Sequence, residues 1–231
     1  HGLHPGPVEA GVGMSLDLYP GVVGALFRNM LPTLTTTGVS SPYVHVLKAG
    51  SDQSSLTFQH YNGAEERRFA GVILDEITVS GDTTSPVEIS VTGQGKSGTV
   101  VATTTPSIET SLAPITGAQA TLTIDAVANT NLASFEITIA RENRLIYGAS
   151  NTQQPTKAVQ GRLEVTGSLS FEIEDATEYQ AFRAKQYKNI SIEIVGAANN
   201  KIKFDLPKAF IEVATWDDGE ESLRVDWEFR A

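Results

Sequence analysis

The sequence predicts a mainly β protein built from two related β-rich domains, each carrying one α-helix. Three observations support this prediction. Short segments of alternating apolar and polar residues recur along all 231 residues, and such alternation is typical of half-buried strands. Two of these segments change to a helical period. The two strand–helix units also align with each other without a gap, which indicates an internal duplication.

The clearest of these units is "LSFEIEDATEYQAFRAKQ" in the second half of the chain. Leu169, Phe171 and Ile173 fall on one face of its alternating part, as in a strand with one buried face. Asp175 and Glu178 then have the spacing of a capping box, in which side chains bind the free N–H groups of a first helical turn. The pattern predicts a helix over residues 176–186.

The same unit occurs near the start of the chain. Ser15 corresponds to Ser170, an offset of 155 residues (170 − 15), and at that offset Phe27 corresponds to Phe182. Pro20 stands opposite Asp175, at a position where a helix accepts proline because the first N–H groups have no partner within the helix. This pattern predicts a first helix over residues 20–31.

Four further strand segments follow each helix and match in order. They are "YVHVL" with "ISIEIV", "SSLTFQHY" with "NKIKFDL", "GVILDEITVSG" with "KAFIEVATWDDG", and "VEISVTGQG" with "SLRVDWEFRA". The second half has two more strand segments before its unit, "ATLTIDAV" and "ASFEITIARE". We expect a first domain over residues 1–96, a linker or extended arm over 97–120, and a second domain over 121–231. Counterparts of the two extra strands would precede residue 1, so we expect the natural protein to begin upstream, with a processed N-terminus or tag remnant as the alternative.

Composition and charge disfavour several classes of function. The formal net charge is −10, whereas nucleic-acid binding depends on basic patches. The absence of cysteine excludes disulfides and thiolate metal sites. No apolar run approaches the length that spans a bilayer, so we expect no membrane partner.

The motifs that could carry chemistry do not indicate an active site. "GQGKS" resembles the end of a phosphate-binding loop, but Ser90 stands where the motif needs its first glycine. His45 and His60 lie in strand patterns without metal-ligand spacing, which indicates solvated histidines. Carboxylate pairs such as Glu172 and Glu174 share the exposed side of one strand, which favours a solvated face over glycosidase chemistry. We expect no catalysis, no cofactor and no metal.

Three segments carry a family resemblance: "LEVTGSLSFEIED", "IKFDLPKAFIEVA" and "SLRVDWEFRA". With the order of strands and helix, they resemble the tail tube (major tail) proteins of long-tailed bacteriophages, of the type with two tube domains per chain. The resemblance implies a β-sandwich or half-barrel in each domain, flanked by one helix. It also implies a structural protein of the virion tail, whose strands join those of neighbouring subunits into rings that stack into a hollow tube for DNA passage.

The resemblance further implies the partners. With two tube domains per chain, three chains would make a pseudo-sixfold ring, and a six-chain ring is the second possibility. Other tail proteins would bind the ends of the tube, and DNA would pass without sequence-specific binding. The inner-tube protein of type VI secretion shares the expected fold, but it is a single-domain hexamer, and the duplication counts against it.

Four carboxylates are candidates for lining the channel: Asp17, Glu172, Glu174 and Glu193. They alternate with apolar neighbours, and like charges would keep a polyanion sliding instead of binding. The alternative is that they face solvent outside the tube. Two other functions stay open: a β-sandwich decoration module that contacts glycan or capsid through exposed Trp or Tyr, and, less favoured, a hydrolase with paired carboxylates.

Overall fold

The computed structural model describes residues 10–39, 43–103, 113–149, 153–172, 187–196, 200–217 and 224–231. Within them the protein is mainly β, with one α-helix, α1 (Pro20–Met30), and one turn of 3-10 helix (Gly117–Gln119). The strands are β1 (Ala10–Asp17), β2 (Thr33–Thr37), β3 (Val44–Lys48), β4 (Leu56–Tyr61), β5 (Glu66–Asp82), β6 (Glu88–Gly95), β7 (Ser97–Val101), β8 (Ala120–Ile124), β9 (Val127–Asn129), β10 (Leu132–Arg141), β11 (Arg144–Ile146), β12 (Lys157–Val159), β13 (Leu163–Glu172), β14 (Tyr187–Val195), β15 (Lys201–Asp217) and β16 (Arg224–Arg230).

The first predicted helix is confirmed. It begins at Pro20, whose fixed φ and missing N–H suit a first turn. Its buried side chains, among them Val23, Phe27 and Met30, belong to the same hydrophobic core as the sheet, so the apolar face of α1 covers one side of the sheet. The second predicted helix, over residues 176–186, lies outside the described residues, as do Asp175 and Glu178.

One large sheet contains most of the strands. Its order is β1-β6-β5-β10-β13-β16-β15-β14-β8-β9, and every neighbouring pair is antiparallel. Strands β4 and β7 pair with the N-terminal part of β5. Two separate hairpins, β2–β3 and β11–β12, form sheets of two strands each. The order β1-β6-β5 in the first half recurs as β13-β16-β15 in the second.

Local irregularities recur at matching places in the two halves. A bulge follows Leu74 in the pairing of β5 with β6, and another follows Ile211 in the pairing of β15 with β16. Both long strands, β5 and β15, have 17 residues. These matches support the interpretation of two related halves, and the division of the chain into two domains stays a prediction.

The structure corrects part of the predicted alignment of strands. The segment "NKIKFDL" is not a separate strand but the first part of β15. It is β14 that forms a hairpin with β15, as β4 does with β5, so β14 and β4 occupy corresponding positions. "YVHVL" instead supplies β3 of a separate hairpin. Residues 97–101, placed in the predicted linker, form β7 against β5, because the β-branched side chains of Thr99, Val100 and Val101 suit a strand.

The core lies on one face of the large sheet. Leu169 and Phe171 are buried, which confirms the predicted inward face of β13, while Ile173 lies outside the described residues. The rings of Phe171 and Trp227 meet edge to face, with centroids 5.0 Å apart and planes at 87°, a favourable aromatic arrangement. Trp227 is 1% exposed, so it packs in the core and is not available to bind a sugar.

A buried polar network surrounds the bulge in β5. A bulge leaves backbone groups without a partner in the ladder. Here Asn29 Oδ1 accepts from the N–H of Leu74 at 2.9 Å. The carbonyl of Leu74 accepts from Gln53 Nε2 at 3.0 Å and from Asn143 Nδ2 at 2.7 Å. Helix α1, strand β5 and the second half of the chain are therefore tied together at this point.

We predict that Asn29→Ala lowers the free energy of unfolding by about 1–3 kcal/mol, because it leaves the buried N–H of Leu74 without an acceptor. Arg28→Ala is the matched control, since Arg28 is exposed on the same helix. Urea denaturation of the three proteins measures the effect. An Asn29→Ala protein as stable as the Arg28→Ala protein would contradict the role assigned to this network.

Candidate channel face and subunit edges

The face of the large sheet opposite the core is polar and predominantly acidic. Because side chains alternate along a strand, the residues between the buried positions of β1, β6, β10, β13, β16 and the parts of β5 and β15 after their bulges share this face, which we call the polar face. Its carboxylates are Asp17, Glu76, Asp82, Glu88, Glu136, Glu164, Glu172, Asp226 and Glu228. Its cations are Arg224 and Arg230. The carboxylates therefore dominate its electrostatic potential.

The structure places two of the four predicted channel residues on the polar face, on strands β1 and β13. Asp17 ends β1 opposite Glu88, and Glu172 ends β13 opposite Arg224. Asp17 and Glu172 thus lie on the polar face at corresponding strand ends. Glu193 lies on β14, beyond β15, with its Oε1 2.8 Å from Lys201 Nζ. Glu174 lies outside the described residues.

Strand β10 joins the two halves by pairing along β5. Residues 76–82 of β5 pair with residues 134–140 of β10. On the polar face, the hydroxyls of Thr78 and Thr138 are 3.0 Å apart. On the core face, Gly81 lies opposite Phe135, and a Cβ added to Gly81 would lie only 2.9 Å from the Phe135 ring. The pairing of β5 with β10 therefore has a specific register, in which the Phe135 ring fits against Gly81.

Arg141, at the end of β10, reinforces this junction. It is buried, and its guanidinium donates to the carbonyl of Met30 at 3.2 Å and to that of Gly50 at 2.9 Å. Burial lowers its pKa below the ordinary value for arginine. Met30 ends α1, where carbonyls lack partners within the helix and a cation is favourable. The second half thus caps the helix of the first half.

Two edges of the polar-face strands have no strand partner among the described residues. Strand β1 pairs with β6 only. Residues 213–217 of β15 pair with β16 on one side, whereas the corresponding residues of β5, just after its bulge, pair on both sides. Unpaired N–H and C=O groups along an edge favour pairing with a further strand. No sequence pattern indicates these edges, since an edge strand and a central strand alternate in the same way.

The strands of the polar face are staggered as in a closed barrel. Asp17 on β1 pairs with Glu88 on β6, and Glu88 pairs with Ser80 on β5. Ser80 in turn pairs with Glu136 on β10, and Glu136 pairs with Ser168 on β13, four strands away from β1. Glu172, the counterpart of Asp17, lies four residues beyond Ser168. The sheet therefore shifts by about one residue per strand. In a barrel whose shear equals its strand number, strands tilt by about 36° to the axis.

The remaining candidate residues are exposed to solvent. His45 and His60 are exposed on strands, as predicted, and His45 Nδ1 lies 2.9 Å from Thr36 Oγ1. In the part of the chain that the structure describes, no three His, Asp or Glu side chains are grouped so that they could hold a metal ion. No helix in this part is long and apolar enough to cross a bilayer.

Asp82 is held in its ionised form at the end of β5. Its Oδ1 accepts from the N–H and hydroxyl of Thr84, both at 2.7 Å, and from the N–H of Ser85 at 2.9 Å. Its Oδ2 accepts from the hydroxyl of Ser85 at 2.8 Å. These hydrogen bonds, those of Thr84 first, lower the pKa of Asp82 from 3.8 to about 2.

We predict a pH-dependent difference in stability between the native protein and an Asp82→Ala variant. A carboxyl whose folded-state pKa is lowered stabilises the fold above its unfolded pKa and loses this effect as pH falls through the folded value. The difference should therefore be constant above about pH 4 and shrink between pH 4 and about 2. Urea denaturation across this range measures it, and a difference that stays constant down to pH 2 would contradict the assignment.

Comparison with known protein families gives a match over most of the chain. The family model described as "Phage tail tube protein" matches residues 2–231, almost the whole chain. A search of proteins with curated descriptions found no match.

Proposed function

This chain belongs to the phage tail tube protein family, and we propose that three copies close into a ring through the free edges of β1 and β15. Membership makes it a structural protein of the virion tail, which associates with itself and with other tail proteins. In our proposal, the rings stack into a hollow tube, and DNA passes through it to the host. Other tail proteins bind the ends of the tube.

The stagger of the strands carries the ring proposal. A sheet that shifts by one residue per strand has the shear of a closed barrel, and in this chain the shift from β1 to β13 totals four residues over four strand steps. The junction of β5 with β10 supplies the template for closure, because β15 repeats the bulge of β5 and leaves free the edge at which β5 pairs with β10.

The direction of the strands constrains how neighbouring copies meet. The seven strands from β1 to β15 alternate in direction, so β1 and β15 run parallel. An entirely antiparallel ring needs an even number of strands per copy. We infer that one further strand lies between β15 of one copy and β1 of the next, in the position that β10 occupies within the chain. Three copies with eight strands each would give a barrel about 45 Å across at the backbone, from a strand spacing of about 4.8 Å and a tilt of about 36°.

The number of copies follows from the repeat. Each half contributes the same three-strand unit, so three chains present six such units around the ring. This arrangement is the pseudo-sixfold ring expected from a two-domain chain. A ring of six chains is the second choice, and it would require only one tube domain per chain.

We further propose that the polar face lines the channel. Helix α1 and the core cover the opposite face, which leaves the polar face to point inward. Asp17 and Glu172 lie on it, and Glu174 and Glu193 stay candidates. Ionised carboxylates repel phosphates over about 8–10 Å at ordinary salt, so DNA would slide without binding. In this role the protein acts by assembly, without catalysis or a cofactor.

We predict that native mass spectrometry finds a ring of three chains, and that Thr215→Pro reduces the protein to single chains. Proline removes an N–H and disrupts the approach of a strand at the open edge of β15. Ala128→Pro is the control, because it places proline on β9 at the other end of the sheet. Melting temperatures verify that both variants fold. A folded Thr215→Pro protein that still forms three-chain rings would exclude this edge from the interface.

The channel assignment can be tested with single cysteines, since the chain has none of its own. We expect Glu136→Cys, on the polar face, to react with a small maleimide but to resist a polymer-linked maleimide once tubes have formed. Arg28→Cys, exposed on α1, should react with both reagents before and after assembly. Equal protection of the two cysteines, or protection of position 28 alone, would place the polar face outside.

A further inference from the structure

The hairpin β11–β12 presents an exposed face that combines cations and apolar side chains. It lies in the connection from β10 to β13. Arg144 pairs with Val159 and Ile146 with Lys157, so these four side chains share one face. All four are exposed, with Ile146 at 39% and Val159 at 41%. An isolated two-stranded hairpin is marginally stable in water, and exposed apolar side chains framed by charges are typical of a contact surface.

The cations of this hairpin have no acidic partner in the described part of the chain. Neither Arg144 nor Lys157 lies within ion-pair distance of a described carboxylate, and the same holds for Arg162, which follows the hairpin. All three are exposed. The hairpin is therefore a basic surface on a chain whose overall charge is −10.

The opposite end of the sheet is acidic. Strand β13 starts at Leu163, beside the hairpin, and ends nine residues later at Glu172, roughly 30 Å away for an extended strand. At that end Asp17 lies directly opposite Glu88, and like charges in directly opposite positions repel. Asp82, whose chain neighbours hold it as a carboxylate, ends β5 at the same side of the sheet. Only Arg224 offsets these charges among the described residues of this end.

We propose that the β11–β12 hairpin docks on the acidic strand ends of a second copy of this chain in the next ring. This inference rests on the proposed function, and it identifies the surfaces that stack one ring on another. The two surfaces lie at opposite ends of each copy, so a ring cannot satisfy them internally. A head-to-tail contact of this type does not close on itself and continues into a filament. The cations of the hairpin relieve the repulsion between Asp17 and Glu88, and Ile146 and Val159 become covered.

Charge reversal on each surface provides the test. The hairpin variant carries Arg144→Glu and Arg162→Glu, and the end variant carries Asp17→Lys and Glu88→Lys. Each variant alone places like charges on both surfaces, so we expect rings but at least a tenfold loss of tube length in electron micrographs. Rings of the two variants mixed in equal amounts present opposite charges at every contact. The mixture should therefore regain tubes in which the two variants alternate.

A variant with Glu136→Lys and Glu228→Lys is the matched control, since it reverses two charges on the polar face away from both ends of the strands. It should form tubes of native length. Rings of either reversed variant that stack like native rings, or a mixture that stays as single rings, would overturn the inference while the ring itself stands. Native chains that form no rings would overturn the proposed function and this inference together. Circular dichroism of each variant establishes that its fold is intact.

Discussion

The pairing of β5 with β10 is the interaction on which the architecture depends. It converts two half-sheets into one continuous sheet, and it fixes the stagger between them. Backbone hydrogen bonds alone would allow the strands to slip by two residues without exchanging faces. The fit of Phe135 against Gly81 removes this freedom, because a slipped register would place the ring against a side chain. Arg141 and Asn143 then fix the end of β10 to the helix and to the bulge of the first half.

The bulges lie where each long strand changes its neighbours. In β5, residues 66–72 pair with β4 or β7, residues 73–80 pair with β6, and residues 76–82 pair with β10. Strand β15 divides in the same manner between β14 and β16. A bulge bends the strand and increases its twist, so the second part of each strand runs in a different direction from the first part. The same device recurs in both halves, although the side chains differ: Asp75 accepts from Gln94 in the first half, while Glu212 lies near Arg230 in the second.

The polar face combines weak local interactions with a strong collective charge. Its ion pairs, such as that of Arg230 with Glu164 at 2.8 Å, are exposed, and exposed pairs contribute little to stability. Selection for stability alone does not require so many carboxylates on one face. In the proposed tube, their summed field would act on a passing polyanion. The same face therefore needs no binding site, since its role in the proposed tube is to avoid binding.

Local periodicity determined much of this protein. The alternation around Leu169 and Phe171, the proline start of α1 and the matched strand–helix units predicted a mainly β fold with a repeat, because burial of one face imposes a period that the sequence must show. The same pattern placed Asp17 and Glu172 on the face of the sheet opposite the core. That period does not indicate which strands pair with each other. The merging of "NKIKFDL" into β15, the separate hairpin of β3, the pairing of β5 with β10 and the role of Arg141 all depend on contacts between residues distant in the chain. Only the tertiary structure decided them, since edge and central strands have the same alternation and differ in the neighbours that the fold brings to them.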